Sequence, residues 1–432
     1  MSYIDENRIT IIYTLKNLKL IGPFTQIVTL TDIPLKGSVT DEKLQVIQEG
    51  GLLIENGNIK EIGVYANLLP NALNAKAEIE ELQGSHCCLP GLIDAHTHIC
   101  FNGSRARDYA LRNAGKTYLE ISKAGGGIWD TVTQTRKAKQ EDLVKGIVKR
   151  AKRHLKNGVT TLEVKSGYGL SVKEELKMLY AIKEANNILD SDLISTCLAA
   201  HMVPRDHKGS PEEYLSDIST HLFPLLREEG LSNRIDAFIE ESAFTSASIA
   251  PYFREAKEMG FDITVHADQF TTGGSEVAVQ FEAISADHLE ASTAIEIELF
   301  GKSDVIATAL PGASLGLGCD FTPARKILDA GGALAIASDH NPGSAPMGDL
   351  LAQAAILGAY EKLTNAEVLA GITFRAAAAL GLKDRGRLGV DQLADLCIFH
   401  TGDYREILYH QGNFKPCLVY KNGVKVYDKH NT

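Results

Sequence analysis

His96 and His98 close the run Leu89-Pro90-Gly91-Leu92-Ile93-Asp94-Ala95-His96-Thr97-His98. Residues i and i+2 of a strand project to the same side, so the two imidazoles leave the strand end together and supply half of a divalent-metal site. Three more potential ligands stand where later apolar runs end, at His266, His288 and Asp339. Any one of these alone is equally a hydrogen-bonded structural residue. Gathered at the ends of four strands, imidazoles and a carboxylate suit Zn(II) or Fe(II) and leave a position for water facing a substrate.

Residues so far apart in sequence need a scaffold that brings strand ends to one place. After the run ending at His96 come seven short apolar runs: Val159 to Val164, Leu193 to Ala199, Ile235 to Ile239, Ile263 to Val265, Ala283 to Ala286, Val305 to Leu310 and Ala333 to Ser338. Amphipathic stretches lie between most of them. In Glu141 to Asn157 the residues Leu143, Ile147, Val148, Ala151 and Leu155 share one helical face, and Gly158 follows as a stop. Alternating strand and helix imply a parallel sheet, and eight repeats predict a closed (β/α)8 TIM-like barrel, whose chemistry sits at the C-terminal ends of its strands. The chain ends differ. Asn56-Gly57 and Asn422-Gly423 each separate two strand-like runs, a hairpin signal. The expected fold is α/β, with a small β-sandwich domain built from both termini (residues 1–88 and 380–432) beside a barrel over 89–379.

The 432 residues, 44% apolar, can build a large core. A net charge of −11 argues against a nucleic-acid partner, which needs a basic footprint, but leaves room for an anionic small substrate at a local arginine. Seven scattered cysteines without a C-x-x-C pair fit free thiols in a reducing compartment. No basic flank followed by an apolar core opens the sequence and no run reaches the length of a membrane span, so a cytoplasmic protein with no membrane partner is expected.

Pro90-Gly-Leu-Ile-Asp-Ala-His96-Thr-His98, His266, His288 and Ser338-Asp339 resemble the metal-dependent amidohydrolase superfamily. The segments Asn102 to Arg105, Tyr118 to Ile128, Glu163 to Leu170, Ala200-His201 and Asp339 to Ser344 are similar to the branch that opens the ring of 4-imidazolone-5-propanoate. That resemblance covers nearly the whole chain. It implies hydrolysis of the ring amide to N-formimidoyl-L-glutamate, a step of histidine degradation, with one divalent metal per chain, Zn(II) or Fe(II/III). It implies His96, His98, His266 and Asp339 as ligands. His288 then falls outside the ligand set as the group that orients or deprotonates the water, with Asp339 sharing the proton. Arg105 is the expected partner of the propionate, whose carboxylate matches a guanidinium fork. Tyr168 and His201 are expected to contact ring and tail, Gln269 to meet the amide-like ring and to act with His288 and Asp339 as a catalytic residue, and Asn341, Gly343 and Ser344 to bind substrate or product. A small anionic heterocyclic substrate and a homodimer are the expected partners.

Other chemistries remain in view. A binuclear ring hydrolase would place a carboxylated lysine at the end of strand four, where Ile239-Glu240-Glu241 stands; Lys165 follows strand two. A deaminase would use a glutamate proton shuttle shortly after the strand-five histidine, where Gln269 cannot carry the proton. A silent scaffold on the same fold would not need all the ligand positions. Gly125-Gly126-Gly127 lacks the spacing of a phosphate loop and is expected to form a mobile loop near the barrel mouth.

Overall fold

The computed structural model describes residues 18–117, 120–121, 124–241 and 243–430. Its strands, in chain order, are β1 (Leu18–Val28), β2 (Val46–Glu55), β3 (Asn58–Val64), β4 (Glu78–Glu81), β5 (Cys87–Pro90), β6 (Leu92–Asp94), β7 (Val159–Lys165), β8 (Asp192–Ala200), β9 (Arg234–Phe238), β10 (Asp262–Ala267), β11 (Ser285–His288), β12 (Ile306–Ala309), β13 (Ala333–Ile336), β14 (Leu396–Phe399), β15 (Leu418–Lys421) and β16 (Val424–Asp428).

Strands β6 to β13 follow one another in spatial as in sequence order, and each neighbouring pair is parallel. These are the eight runs of the expected barrel. All seven residues of β7 are buried, as in a parallel strand covered on both faces. The helix Gln140–Lys156 turns Leu143, Val144, Ile147, Ala151 and Leu155 inward, and Gly158 follows with φ 93°. The seam between β13 and β6 closes just beyond the two strands. The Asp339 amide donates to the His96 carbonyl at 3.0 Å, the His98 amide donates to the His340 carbonyl at 3.0 Å, and Thr97 bridges His340. In the middle of β6 the Ile93 amide turns to the Ile372 carbonyl at 2.9 Å. Barrel closure and the joining of the strand-one and strand-eight site residues are therefore one event.

The remaining strands form a second sheet in the order β16-β15-β14-β5-β1-β2-β3, with β4 alongside β1. Both Asn-Gly pairs make two-residue hairpin turns with positive φ at both residues, Asn56 (53°) and Gly57 (87°), then Asn422 (50°) and Gly423 (74°). Positive φ at both positions is the type I′ geometry that Asn-Gly favours. The two turns meet: the Ala394 amide donates to the Gly57 carbonyl and the Gly423 amide to the Ala394 carbonyl, each at 2.8 Å. Ile54 and Ile59 from one arm of the sheet share a buried cluster with Leu396, Ile398 and Leu418 from the other. The sheet is thus folded over its own core, and both chain ends contribute to it.

The apolar run through residue 89 is divided between the two sheets. Cys87–Pro90 pairs with β1 and β14, whereas Leu92–Asp94 pairs with β7. Leu89 and Pro90, expected in the first barrel strand, therefore stand in the terminal sheet. Gly91 is the crossing point: its amide donates to the Asp395 carbonyl at 2.8 Å, and a Cβ there would run into the Thr160 hydroxyl.

Candidate active site

At the C-terminal end of the barrel the side chains of His96, His98, His266 and Asp339 face one another and are buried. His96 Nε2 lies 3.1 Å from His98 Nε2, which lies 3.3 Å from His266 Nε2. Asp339 Oδ1 stands 3.6 Å from His96 Nε2 and 3.5 Å from His98 Nε2. His96 turns its other nitrogen, Nδ1, to Asp287 Oδ2 at 2.7 Å, and His266 Nδ1 faces Asp236 Oδ2 at 2.9 Å. With those protons held by carboxylates, both Nε2 atoms present lone pairs to the same small space. Asp339 Oδ1 aims there too, buried and without a hydrogen-bond partner among the described residues.

Such crowding of lone pairs fits a cation. Tetrahedral ligands at the 2.0–2.1 Å of Zn–N bonds stand about 3.3 Å apart, close to the spacings of these nitrogens. Burial, Lys165 and the neighbouring imidazoles hold His96 far below the ordinary histidine value, and burial with the surrounding imidazoles does the same to His98. Burial brings His266 down to about 4 against the opposing pull of Asp236. All three imidazoles are therefore neutral, as metal ligands must be. Burial also raises Asp339 to about 6.

Asp339 owes its orientation to the loop behind it. The backbone at Asp339 is left-handed (φ 48°), and the Asn341 side-chain amide donates at 2.8 Å to both the Asp339 carbonyl and Oδ2. Asn341 Oδ1 accepts from the Gly343 amide at 2.7 Å and the Ser344 amide at 2.8 Å. Asn341, expected to meet the substrate, thus already uses its side-chain amide to grip this loop and turn Oδ1 of Asp339 toward the histidines.

His288 borders the group: its nearest ring nitrogen is within 4.8 Å of donor atoms of His96 and His266, and its Nδ1 faces Glu290 Oε1 at 3.4 Å. Burial alone would lower His288, but Glu290, Asp339 and Asp287 outweigh it and raise its pKa. The His201 ring stacks on His98 with centroids 5.6 Å apart, and its Nδ1 donates to the Gly167 carbonyl at 2.9 Å. Burial lowers His201 to about 4, so its Nε2 is an acceptor. Tyr168 is buried with its ring 5.9 Å from His98 and 5.5 Å from His201. Arg105 lies beside Gly343, 9% exposed, with Nε donating to Asp108 Oδ2 at 2.8 Å. Gln269 is half-buried just past β10 on a loop held at both ends by carboxylates. Asp268 accepts from the Gly274 and Ser275 amides, and Glu240 from those of Phe270 and Thr271.

The amidohydrolase family model matches residues 88–426. An imidazolonepropionase of Myxococcus xanthus is 40% identical over 373 residues, covering 86% of this chain and 88% of that protein. One of Alkaliphilus oremlandii is 36% identical over 412 residues, covering 94% and 97%. The chain belongs to the amidohydrolase family, among the imidazolonepropionases. The amidohydrolase fold also aligns it with an adenosine deaminase from Xanthomonas campestris that has bound zinc, at a TM-score of 0.67 and 18% identity over 95% of this chain and 92% of that one.

Beneath His96 and His266 this amidohydrolase carries a buried charge cluster to which the sequence motifs gave no role. Lys165 Nζ lies 2.8 Å from Glu163 Oε2, 2.8 Å from Asp236 Oδ2 and 3.5 Å from Asp287 Oδ2. Burial works against the ammonium, but the three carboxylates outweigh it and raise the Lys165 pKa. A charged lysine so enclosed is not a carbamate bridge, and the end of strand four offers Glu240, already bound to loop amides. The signal for the cluster was present: Glu163 and Lys165 alternate along β7 and so share its inner face. Glu175, also missed, accepts from the amides of Gly167, Gly169 and Leu170 and so fixes the loop that carries Tyr168. In the glycine segment, Gly127 donates to Asp108 Oδ2 at 2.8 Å. Tyr118, Leu119, Ser122 and Lys123 of the same sequence segment lie outside the described residues.

Proposed function

We propose that the protein hydrolyses the ring amide of 4-imidazolone-5-propanoate to N-formimidoyl-L-glutamate, with one divalent metal ion, Zn(II) or Fe(II/III), held by His96, His98, His266 and Asp339. The observation that carries this is the convergence of three imidazole nitrogens and a carboxylate oxygen without a hydrogen-bond partner among the described residues, with the rings of Tyr168 and His201 packed against His98. The named relatives give the substrate its identity.

When bound, a divalent ion supplies Lewis acidity to the ring carbonyl and to the attacking water. His288 takes the proton from that water, and Glu290 beside it stabilises the imidazolium that results. The water oxygen adds to the carbonyl carbon and the bond from that carbon to the ring nitrogen breaks. The proton returns to the departing nitrogen from His288 or Asp339, whose raised pKa suits such sharing. His201 Nε2 accepts from a ring N–H, Gln269 pairs with the ring amide, and Ser344 and the Gly343 backbone contact substrate or product. Arg105 receives the propionate carboxylate through its Nη atoms, which have no acceptor among the described residues.

The proposal includes a homodimer in a reducing cytoplasm, without nucleic-acid or membrane partners. The reducing compartment is in keeping with seven cysteines that are all free. The test is turnover of freshly prepared 4-imidazolone-5-propanoate, followed by loss of its ultraviolet absorbance and identification of the product. Appearance of N-formimidoyl-L-glutamate is the expected result. A metal-loaded protein that leaves the compound intact would refute the substrate.

A further inference from the structure

The pocket's outer edge holds more positive charge than the role given to Arg105 uses. Arg105 is the N-cap of the helix Ala106–Asn113, and Arg112 lies in its last turn. Seven residues apart, they stand two turns along one helical face. Both reach the loop after β13 at Gly343. A Cβ at Gly343 would run into Arg105 Nη1, and Arg112 Nη2 donates to the Gly343 carbonyl at 3.4 Å. The carboxylate between them is Asp108, 6% exposed, whose Oδ2 accepts from Arg105 Nε and from the Gly127 amide, each at 2.8 Å.

Two guanidinium groups and one carboxylate leave a positive charge unbalanced. Arg112 Nε is buried without a hydrogen-bond partner among the described residues. Burial, and then the adjacent Arg105, push the Arg112 pKa down, as befits a cation short of a counter-ion. The Arg112 guanidinium also lies 5.8 Å from the centre of the Tyr109 ring, which supports it from the side. Asp108 occupies only the Nε edge of Arg105, so the Nη edge is available.

Resting on the assignment of Arg105 to the substrate tail, we infer that Arg112 is a second carboxylate-recognition residue, which binds the tail between two guanidinium groups at Gly343. A carboxylate offers about four lone-pair sites. Arg105 takes a pair of them through its Nη edge and Arg112 takes a remaining one, and the bound carboxylate neutralises the positive charge that Asp108 leaves unbalanced. Asp108 has a positioning role: it aligns Arg105 and ties Gly127 to the same point.

The test compares wild type with Arg112→Gln and Arg112→Lys on the propanoate and on its neutral tail amide, with glutarate as a non-reacting dicarboxylate probe. Loss of a charge-assisted contact corresponds to about 10- to 100-fold in affinity. Arg112→Gln should raise KM for the propanoate by that factor, with a much smaller change in kcat, and should erode discrimination between acid and amide by the same factor. Arg112→Lys, which keeps the charge without the planar fork, should recover part of the loss. An unchanged KM for the acid, or equal losses on acid and amide, would overturn the assignment. If the Gln variant loses its fold, the acid-to-amide ratio of the Lys variant decides the matter: a lowered ratio supports the role and an unchanged ratio overturns it. If wild type turns over neither compound, the proposed reaction has failed, and glutarate calorimetry then judges Arg112 alone. Weaker glutarate binding in Arg112→Gln than in wild type would support it; equal binding, or none to wild type, would overturn it.

Discussion

Lys165 at the upper end of the barrel and Lys421 at its lower end are each bracketed by carboxylates, in different surroundings. Lys421 Nζ lies 2.7 Å from Asp395 Oδ2 and 2.9 Å from Asp192 Oδ2. Asp192 opens the barrel strand β8, whereas Lys421 ends β15 of the terminal sheet, so this pairing sews the two sheets together. Arg385 joins it through Asp192, Asp384 and the Thr161 hydroxyl, and Asp395 Oδ1 accepts from the Asn422 amide at 2.9 Å. Lys165 is fully enclosed, and two of its carboxylates continue to imidazoles: Asp287 to His96 and Asp236 to His266. The same ion pairing therefore serves two ends. At the bottom its remaining oxygens secure backbone and the largely buried Arg385, so a fault there costs stability. At the top they orient His96 and His266, the proposed ligands, so on that proposal a fault there reaches the chemistry as well.

The largest break comes from the ligands themselves. Asp339→Ala should abolish turnover and lower metal content; near-wild-type activity in that variant would defeat the ligand assignment. Next is Lys165→Met, which leaves three buried carboxylates without their cation. It should cost about 3–5 kcal/mol of stability and weaken metal affinity about 10- to 100-fold through the two histidine partners. Denaturant unfolding and metal competition measure the two effects, and unaltered metal affinity would cut the proposed link between the cluster and the ligands.

Lys421→Met sharpens the contrast. With Lys421 5% and Asp192 40% exposed, solvent screening reduces the penalty to about 1–3 kcal/mol. Metal affinity and kcat should stay at wild-type values, and a change in either would show that the lower seam communicates with the mouth. The smallest effect is a pH dependence. Burial raises the Asp192 pKa, but Lys421 and Arg385 outweigh it, so the net value is lowered. A carboxylate with a lowered folded-state pKa contributes fully above its unfolded value of about 4 and loses that contribution as pH falls through the folded value. Asp192→Asn should accordingly flatten the acid limb of unfolding by less than about 1 kcal/mol. An acid limb as steep as wild type would assign it to other carboxylates.

Much of this contrast could be anticipated, for identifiable reasons. Strand ends were legible because apolar runs stop at His96, His266, His288 and Asp339, and the type I′ turns because Asn-Gly tolerates positive φ at both positions. The division of the first apolar run at Gly91 was signalled only by Pro90-Gly91, a pair that marks entry into a new element, whereas the pairing of the residues before it with the terminal sheet shows only in the fold. The cluster around Lys165 was legible only in part. Alternation along β7 puts Glu163 on one face with Lys165, but parallel strands are buried on both faces, so Asp236 and Asp287 cannot be assigned to that same face without the closed barrel. Asn341 shows a third limit. Its type and place suggest a substrate contact, whereas its geometry shows a side chain engaged in aiming Asp339.

The most direct test of the account is a metal titration of the stripped chain, wild type beside Lys165→Met, with binding read by competition against a chromophoric chelator. One tight equivalent per wild-type chain, weakened about 10- to 100-fold in the variant, is the predicted result. Two equivalents, none, or one bound equally well without Lys165 would contradict a single metal held by histidines that the buried cluster orients.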